Sequence, residues 1–536
     1  MGERLRRSEV SSTEISYFDV GIVGLYIVAT LLVGVYVGKR KKDTDDYFLA
    51  GRSLTWPVVG FSLYATNLSG ASFIGLAGAG YSSGLAFYSH EWVPALVLIV
   101  FVVLFLPFYM RTGVTTLPEF LERRFDDRSR TVLSGFTIVT NVFIDCAIAL
   151  YAGALVFQAF FPDMPLWLPI LVMAVLTGVY TVFGGLKSVA VNDVIQAIVF
   201  IVGGAIVFFA ALAAIPSWSA VQEAAPGGEL GIFQPANDPE VPWPGVFTGL
   251  VVIGLYFWCT NQVIVQRTLG AKNLDHGRNG AIFGGFLKLT GIALMILPGC
   301  MALVLYPNLS NPDEAFPTLT LDLLPAGLRG VVLAAVLAGI MSTVAGVLNS
   351  ASTLLTIDFV AKYRPHTSQR TLVAIGRATA AGVIAVATLW ATQMHRFGTL
   401  FVYLQSVLSY LVPPIVAVFL FGLLWKRTTR QGAFWTMLCG LVVGAGGLLA
   451  NEVYGLLEIQ ALYAAAILFA GSSLLLVAIS LATEAPSDEE VRTYVWRPQL
   501  WRAESRELAT KPWYVNYRLY AALLFVTTAA IVITFA

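Results

Sequence analysis

Ionisable side chains are scarce in the long apolar stretches of this sequence, and the few present mark where chemistry could be done. Glu91 stands in Y-S-H-E-W, Asp145 in F-I-D-C, Asp193 in V-N-D-V-I-Q and Lys288 in G-F-L-K-L-T. Left unpaired at the centre of a membrane helix, an Asp or Lys costs at least about 2.5 kcal/mol. Each therefore needs a partner, a cavity or a route to the interface. Glu91 and Asp193 lie near span ends, where snorkelling or capping is the plain alternative. Asp145 and Lys288 sit mid-span and could be each other's partner. A second kind of chemistry is offered by hydroxyls: A-G-I-M-S-T places Ser342 and Thr343 one turn after Gly339. Small hard cations prefer oxygen ligands. The two hydroxyls, the Gly339 carbonyl and the carbonyls of Ala65 and Leu68 would make a five-oxygen shell for sodium. Hydroxyl pairs in spanning helices also pack or bond back to the preceding turn. Finally, Gln405 in Y-L-Q-S-V, with Tyr256, Phe257 and Trp258 elsewhere, supplies an amide and aromatic faces that suit a polyhydroxylated solute. Interhelical bonding and core packing are the bland reading of those four.

Such groups must be held by membrane-spanning helices. The stretch 56–80 is long and apolar enough to cross a bilayer, yet Asn67, Ser69, Gly70 and Ser72 interrupt it. A helix opened at mid-membrane is tolerated only where protein or a water-lined cavity takes up its freed backbone groups. That opening is a candidate site for an ion or solute. A second interruption falls in 245–267, at W-C-T-N-Q. Windows of about 18 or more apolar residues give fourteen spans: 19–38, 54–80, 86–110, 131–160, 165–184, 189–214, 243–267, 277–306, 327–361, 371–393, 399–425, 431–451, 459–483 and 514–535. The broken spans are five apart, which predicts two five-helix repeats of opposite orientation, 54–214 and 243–425. Around them lie an N-terminal tail and extra helix (1–53), a Pro- and Gly-rich external loop (215–242) and C-terminal helices (426–536) with a charged cytoplasmic linker at 485–513.

Alternate loops carry the Lys and Arg residues, among them Lys39 to Lys42, Arg123, Arg124, Lys187, Arg267, Lys272, Arg278, Lys362 and Lys426. By the positive-inside rule these face the cytoplasm and both chain ends lie outside; Arg4, Arg6 and Arg7 run against that orientation. Residues 116–125 read as a short amphipathic helix on the inner surface. The 536 residues are 57% hydrophobic and 12% charged, with mean hydropathy +0.75. Soluble domains carry roughly 25% charged residues, so most of this chain lives in lipid as a multi-pass protein; the plasma (inner) membrane is the expected location. Its basic residues form no face, which argues against nucleic acid as a partner. Four cysteines without paired spacing indicate neither disulfides nor zinc. No span carries H-E-x-x-H, G-x-S-x-G or a paired-Asp motif, so an intramembrane enzyme is disfavoured.

At these motifs the chain resembles the sodium/solute symporter family, most of all its sodium/sugar cotransporter branch. The resemblance rests on D-Y-F-L-A-G-R-S-L from Asp46, E-W at Glu91, Y-F-W-C-T-N-Q-V-I-V-Q-R-T-L-G-A-K-N from Tyr256, F-L-K-L from Phe286, L-N-S-A-S-T-L-L-T-I-D from Leu348 and L-Q-S-V-L-S-Y-L-V-P-P from Leu404, between about residues 20 and 450. It implies an all-α protein with fourteen transmembrane helices in a LeuT-type 5+5 inverted repeat, importing a glucose- or galactose-like hexose with sodium by alternating access. By position, sodium would be held by Ala65, Leu68, Gly339, Ser342 and Thr343. Sugar would be held by Asn67, Glu91, Lys288 and Gln405. Phe257 and Trp258 would form the inner lid, and Leu76, His90 and Phe401 the outer one. Asp193 matches an acidic residue at a second sodium site, but the hydroxyls expected there are replaced by Ala345 and Gly346. Ser72, Pro94, Gly254 and Phe257 also depart from the sugar carriers' pattern. A different cargo, such as myo-inositol, sialic acid, an amino acid or a vitamin, is the alternative.

Overall fold

The computed structural model describes residues 15–38, 43–68, 70–161, 163–225, 230–394 and 400–536. It is helical throughout, with eleven helices among the described residues long and apolar enough to cross a membrane, or twelve if the pair Gln405–Leu411 and Pro413–Leu424, bent by 49°, is one span. The helices that build the site are α1 (Tyr17–Gly38), α2 (Trp56–Asn67), α3 (Gly70–Ser83), α4 (Ala86–Thr112), α5 (Asp127–Gln158), α6 (Trp167–Ala214), α7 (Trp243–Thr260), α8 (Gln262–Leu269), α9 (Leu274–Leu305), α10 (Leu328–Ala361) and α11 (Leu400–Leu411).

Both interruptions expected from the sequence are present. Helix α2 stops at Asn67, Leu68 turns to an extended conformation (φ −86°, ψ 102°), and α3 resumes at Gly70. Likewise α7 stops at Thr260, Asn261 is extended (φ −88°, ψ 124°), and its side-chain oxygen accepts the Val263 N–H at 2.7 Å to cap α8. Helix α6 contains a further break. At 48 residues it would run about 72 Å if straight, against a hydrocarbon core of about 30 Å. Gly185, at φ 52° and ψ −167°, divides it; that region is open essentially to glycine alone.

Helix α10 lies at the centre, with 89% of its apolar window buried, whereas α1 has 11% buried and sits at the rim. Asp19 of α1 is nonetheless buried, because its Oδ1 accepts the N–H groups of Gly327 and Gly330, each at 2.7 Å, at the start of α10. Helices α2 and α9 cross through small residues, as membrane helices do. A Cβ on Gly60 would lie 2.8 Å from the Gly280 carbonyl, and one on Gly280 would lie 2.6 Å from Val59. Two turns beyond that crossing, the two helices deliver Asn67 and Lys288 side by side.

The short helix foreseen at 116–125 is Leu117–Arg124. It is tied to the bundle rather than lying free on a surface: Arg124 is buried and donates to the Gly422 carbonyl at 3.0 Å. Several basic residues read as loop charges are also inside the protein. Arg267 is 0% and Arg278 4% exposed, so both serve packing and pairing and do not bear on orientation.

Candidate functional site

Lys288 is the hub of the first cluster. Its ammonium donates to Asn67 Oδ1 at 2.6 Å and to Glu91 Oε1 at 2.5 Å, joining α9 to the end of α2 and the start of α4. Lys288 and Glu91 are both buried, so neither snorkels. The sequence-based pairing of Lys288 with Asp145 is thereby overturned: the α2–α9 crossing sets Lys288 against Asn67, and Glu91 takes up its charge. Around the hub, Tyr64 hydrogen-bonds Thr290 at 3.1 Å and Tyr88 donates to the Leu289 carbonyl at 3.3 Å, fixing α9 on both sides of Lys288. Gly291 leaves room for the acid, since a Cβ there would lie 2.7 Å from Glu91 Oε2. That Oε2 is buried with no hydrogen-bond partner among the described residues. A buried carboxylate oxygen left unsatisfied is costly, and it is an acceptor open to a further donor.

The second cluster lies where α2, α6, α8 and α10 meet. Thr343 donates to the Thr66 carbonyl at 3.2 Å and the Gly339 carbonyl at 3.1 Å, so α10 touches the last turn of α2. The carbonyls of that turn have no next helical turn to bond. Ser342 donates to Asp193 Oδ1 at 2.5 Å, and Ser62 to Asp193 Oδ2 at 2.5 Å. Since its proton goes to Asp193, the Ser342 oxygen keeps its lone pairs for a further ligand. Asp193 is 0% exposed, which replaces the capping or snorkelling alternative with a fully enclosed role. Its charge is balanced by Arg267, whose Nη2 lies 3.8 Å from Oδ2 and whose Nε donates to Thr66 Oγ1 at 3.0 Å.

Arg267 is the residue that sequence reasoning misplaced. The available signal was the run Q-V-I-V-Q-R within α8, in which all eight residues are buried. Gln262 and Gln266, one turn apart on that helix, carry the same message. Gln262 accepts the Leu117 N–H at 2.9 Å, while Gln266 donates to the Phe48 carbonyl at 2.8 Å and to Thr353 at 2.7 Å. Polar side chains on a helix buried all round are pairing groups, not loop charges.

The aromatic residues form a third group beside the break in α7. Tyr256 and Trp258 are buried, and Phe257 packs edge-on against Trp258 at 5.6 Å between ring centroids. Tyr256 and Phe257 also border a cavity of about 40 Å³ that they share with Asp145, Asn261, Val407 and Leu408. Gln405 lies two residues before Val407 on α11; its Nε2 is buried without a partner among the described residues, and the Lys288 ammonium donates to Asn67 and Glu91. On α3, Leu76 is buried and Ser72 half-buried. His90 stacks on Phe87 at 5.6 Å, next to Glu91. The Phe401 side chain lies outside the described residues.

Two broken helices, buried ion pairs and inward hydroxyls define a polytopic membrane transporter. A sodium:solute symporter family model matches residues 47–440, and the chain belongs to that family. It is 33% identical to sodium/glucose cotransporter 4 of Danio rerio, over 91% of this chain and 82% of that protein. It is 34% identical to sodium/myo-inositol cotransporter 2 of Homo sapiens, over 89% of this chain and 78% of that protein. Its fold is similar to that of a substrate-bound, outward-open, Na+-coupled sialic acid symporter, with TM-score 0.79 and 21% identity, over 88% of this chain and 99% of the other. Such relatives are transporters, and this chain is not an enzyme.

Proposed function

We propose that this protein is a sodium-coupled symporter that imports a polyhydroxylated solute, a glucose- or galactose-like hexose, by alternating access. The observation that carries the reading is the Asn67–Lys288–Glu91 cluster. Its ion pair is neutral overall, yet it presents an ammonium, an amide and an unpartnered carboxylate oxygen. Hydroxyl groups, which both donate and accept, match that set. The neutral pair also changes an argument available from sequence: Glu91 by itself would repel an anionic cargo, but its charge is balanced by Lys288. Against sialic acid there remains only the absence, among the described residues of this cluster, of a cation in excess. Myo-inositol offers the same hydroxyl chemistry as a hexose and is the second cargo to test.

In this reading sodium is bound by the carbonyls of Ala65, Leu68 and Gly339 with Ser342 and Thr343, bridging the end of α2 to α10. The Thr343–Thr66 contact and the orientation of the Ser342 hydroxyl support it. Joining those helices favours the conformation in which Asn67 meets Lys288, so that the ion preorganises the solute site. Phe257 and Trp258 close the inner side; Leu76, His90 and Phe401 close the outer. On this reading the breaks at Leu68, Gly185 and Asn261 belong to a chain of fourteen crossings in a 5+5 inverted repeat, and the presence of those breaks supports it. Ala345 and Gly346 leave no hydroxyl for a second sodium. A Cβ on Gly346 would lie 2.5 Å from Arg267 Nη2, so the guanidinium fills that space and one sodium moves with each solute. A potential of 100 mV supplies about 2.3 kcal/mol per charge, and a tenfold sodium gradient about 1.4 kcal/mol. Together these sustain a solute gradient of several hundredfold.

The test is uptake of labelled D-glucose, D-galactose and myo-inositol into proteoliposomes. Sodium is expected to drive uptake of at least one of the three with a Hill coefficient near one, and potassium to drive none. Equal uptake in potassium would refute the coupling, and uptake of sialic acid or an amino acid alone would refute the cargo.

A further inference from the structure

Asp145 differs from the other acids within the helix bundle. Glu91 has Lys288, Asp193 has three hydroxyls and Arg267, Asp358 has Arg130 at 2.6 Å and Ser134 at 2.7 Å, and Asp19 caps a helix. Asp145 has no hydrogen bond or ion pair to any described residue; its carboxylate borders the cavity instead. Two of its walls include wide helical turns, Asn141–Cys146 in α5 and Tyr256–Thr260 in α7, and α11 forms a third. Turns of this kind concentrate at functional positions. Opposite Asp145 stand Asn261, in the break of α7, and the rings of Tyr256 and Phe257.

We propose that this cavity is a second, inner subsite for the polyhydroxylated cargo, in which Asp145 accepts hydroxyl hydrogen bonds from the solute as it leaves. The assignment rests on the reading above, in which Phe257 is the inner lid of the central site. Phe257 borders the cavity and on that reading also closes the central site, so its displacement would join the two. A carboxylate beside aromatic faces and a carboxamide is hydroxyl-recognition chemistry: the acid takes two donors, and the rings cover the C–H face of the solute. The size of the cavity adds a condition. About 40 Å³ holds roughly three waters, not a hexose, so the subsite exists only while the lid is open. Its occupation therefore affects the inward-facing side of the cycle and spares capture from outside.

The experiment compares wild type, Asp145→Asn and Asp145→Glu in sealed right-side-out and inside-out membrane vesicles, with labelled D-glucose, D-galactose and myo-inositol as probes. Asp145→Asn keeps the size of the side chain and removes the charge. It is expected to raise the half-saturating solute concentration at the cytoplasmic face about tenfold, while the external KM stays within twofold and Asp145→Glu recovers most of the loss. A merely structural role would move both faces together, and that result, or an unchanged cytoplasmic affinity, overturns the subsite. If Asp145→Asn does not reach the membrane, Leu408→Trp, which fills the same cavity, is expected to give the same one-sided effect, and a symmetrical effect overturns the proposal equally. Wild-type vesicles that carry none of the three probes would refute the cargo reading and the subsite with it, whereas wild-type transport with an indifferent Asp145 refutes the subsite alone.

Discussion

Two acid–base pairs are buried within a few turns of the break in α2, and they spend their charges differently. Glu91 and Lys288 are in direct contact at 2.5 Å, and one Glu91 oxygen has no partner. Asp193 and Arg267 stand 3.8 Å apart, because both Asp193 oxygens are already engaged by Ser62 and Ser342. The first pair keeps an unsatisfied acceptor, the geometry that the proposed solute site calls for. The second uses an acid to orient hydroxyls and a guanidinium to compensate at a distance, which is a scaffold's geometry. Their sequence contexts look alike, single charges in apolar helices, and only their partners tell them apart.

The comparison breaks most sharply at Arg267. Arg267→Ala leaves Asp193 buried without a counter-ion, and loss of one member of a buried pair costs about 3–5 kcal/mol. Severe loss of folded protein by size-exclusion chromatography is expected, with little recovery in sodium. Lys288→Met and Glu91→Gln are expected to abolish solute uptake, and the double substitution should be more stable in detergent melting than Lys288→Met alone, because no uncompensated charge remains. If Lys288→Met transported normally, the first pair would be scaffold too.

Next in size is Ser342→Ala combined with Thr343→Ala. Two of five proposed ion ligands are removed without touching the solute cluster, so half-activation by sodium should rise at least tenfold while the protein stays folded. Gly346→Ser tests the scaffold from the other side. Crowding the guanidinium should destabilise by about 1–3 kcal/mol, as overpacking does, and the sodium Hill coefficient should stay near one. The smallest effect belongs to Glu504, outside the membrane helices. Burial pushes its carboxyl up, and Arg278 and Arg518, at 2.5 and 2.7 Å, more than reverse this and hold it below the usual range. A carboxyl lowered by folding stabilises above its unfolded value and loses that contribution as pH falls through the folded one. Melting temperature should therefore drop on acidification below about pH 4, and Glu504→Gln should flatten that drop.

Much of the site is legible in the residues themselves. Asn67 and Ser72 within an apolar run signal the break in α2, and W-C-T-N-Q that in α7, since short polar residues and glycine cannot sustain a helix facing lipid. Ser342 and Thr343 stand out by their spacing to Gly339. The partner of Lys288 does not, because a side chain's neighbours depend on where helices cross, and the Gly60–Gly280 contact that brings α9 against α2 joins positions far apart in the chain. Arg267 is misplaced for the same reason. Its charge suggests a loop, and nothing local to α8 announces Asp193 on α6.

Residue order alone establishes that this chain is a bundle of membrane helices, where two of them open, and which few polar groups lie at those depths. Those properties follow from the cost of exposing backbone and charge to hydrocarbon, a cost that depends on each segment separately. Packing in three dimensions fixes which charge neutralises which, leaves Glu91 with an unsatisfied oxygen, and turns Asp145 toward a cavity with no internal partner. Pairing in the low-dielectric interior is governed by separations of a few ångströms, and those are set only when the helices come together.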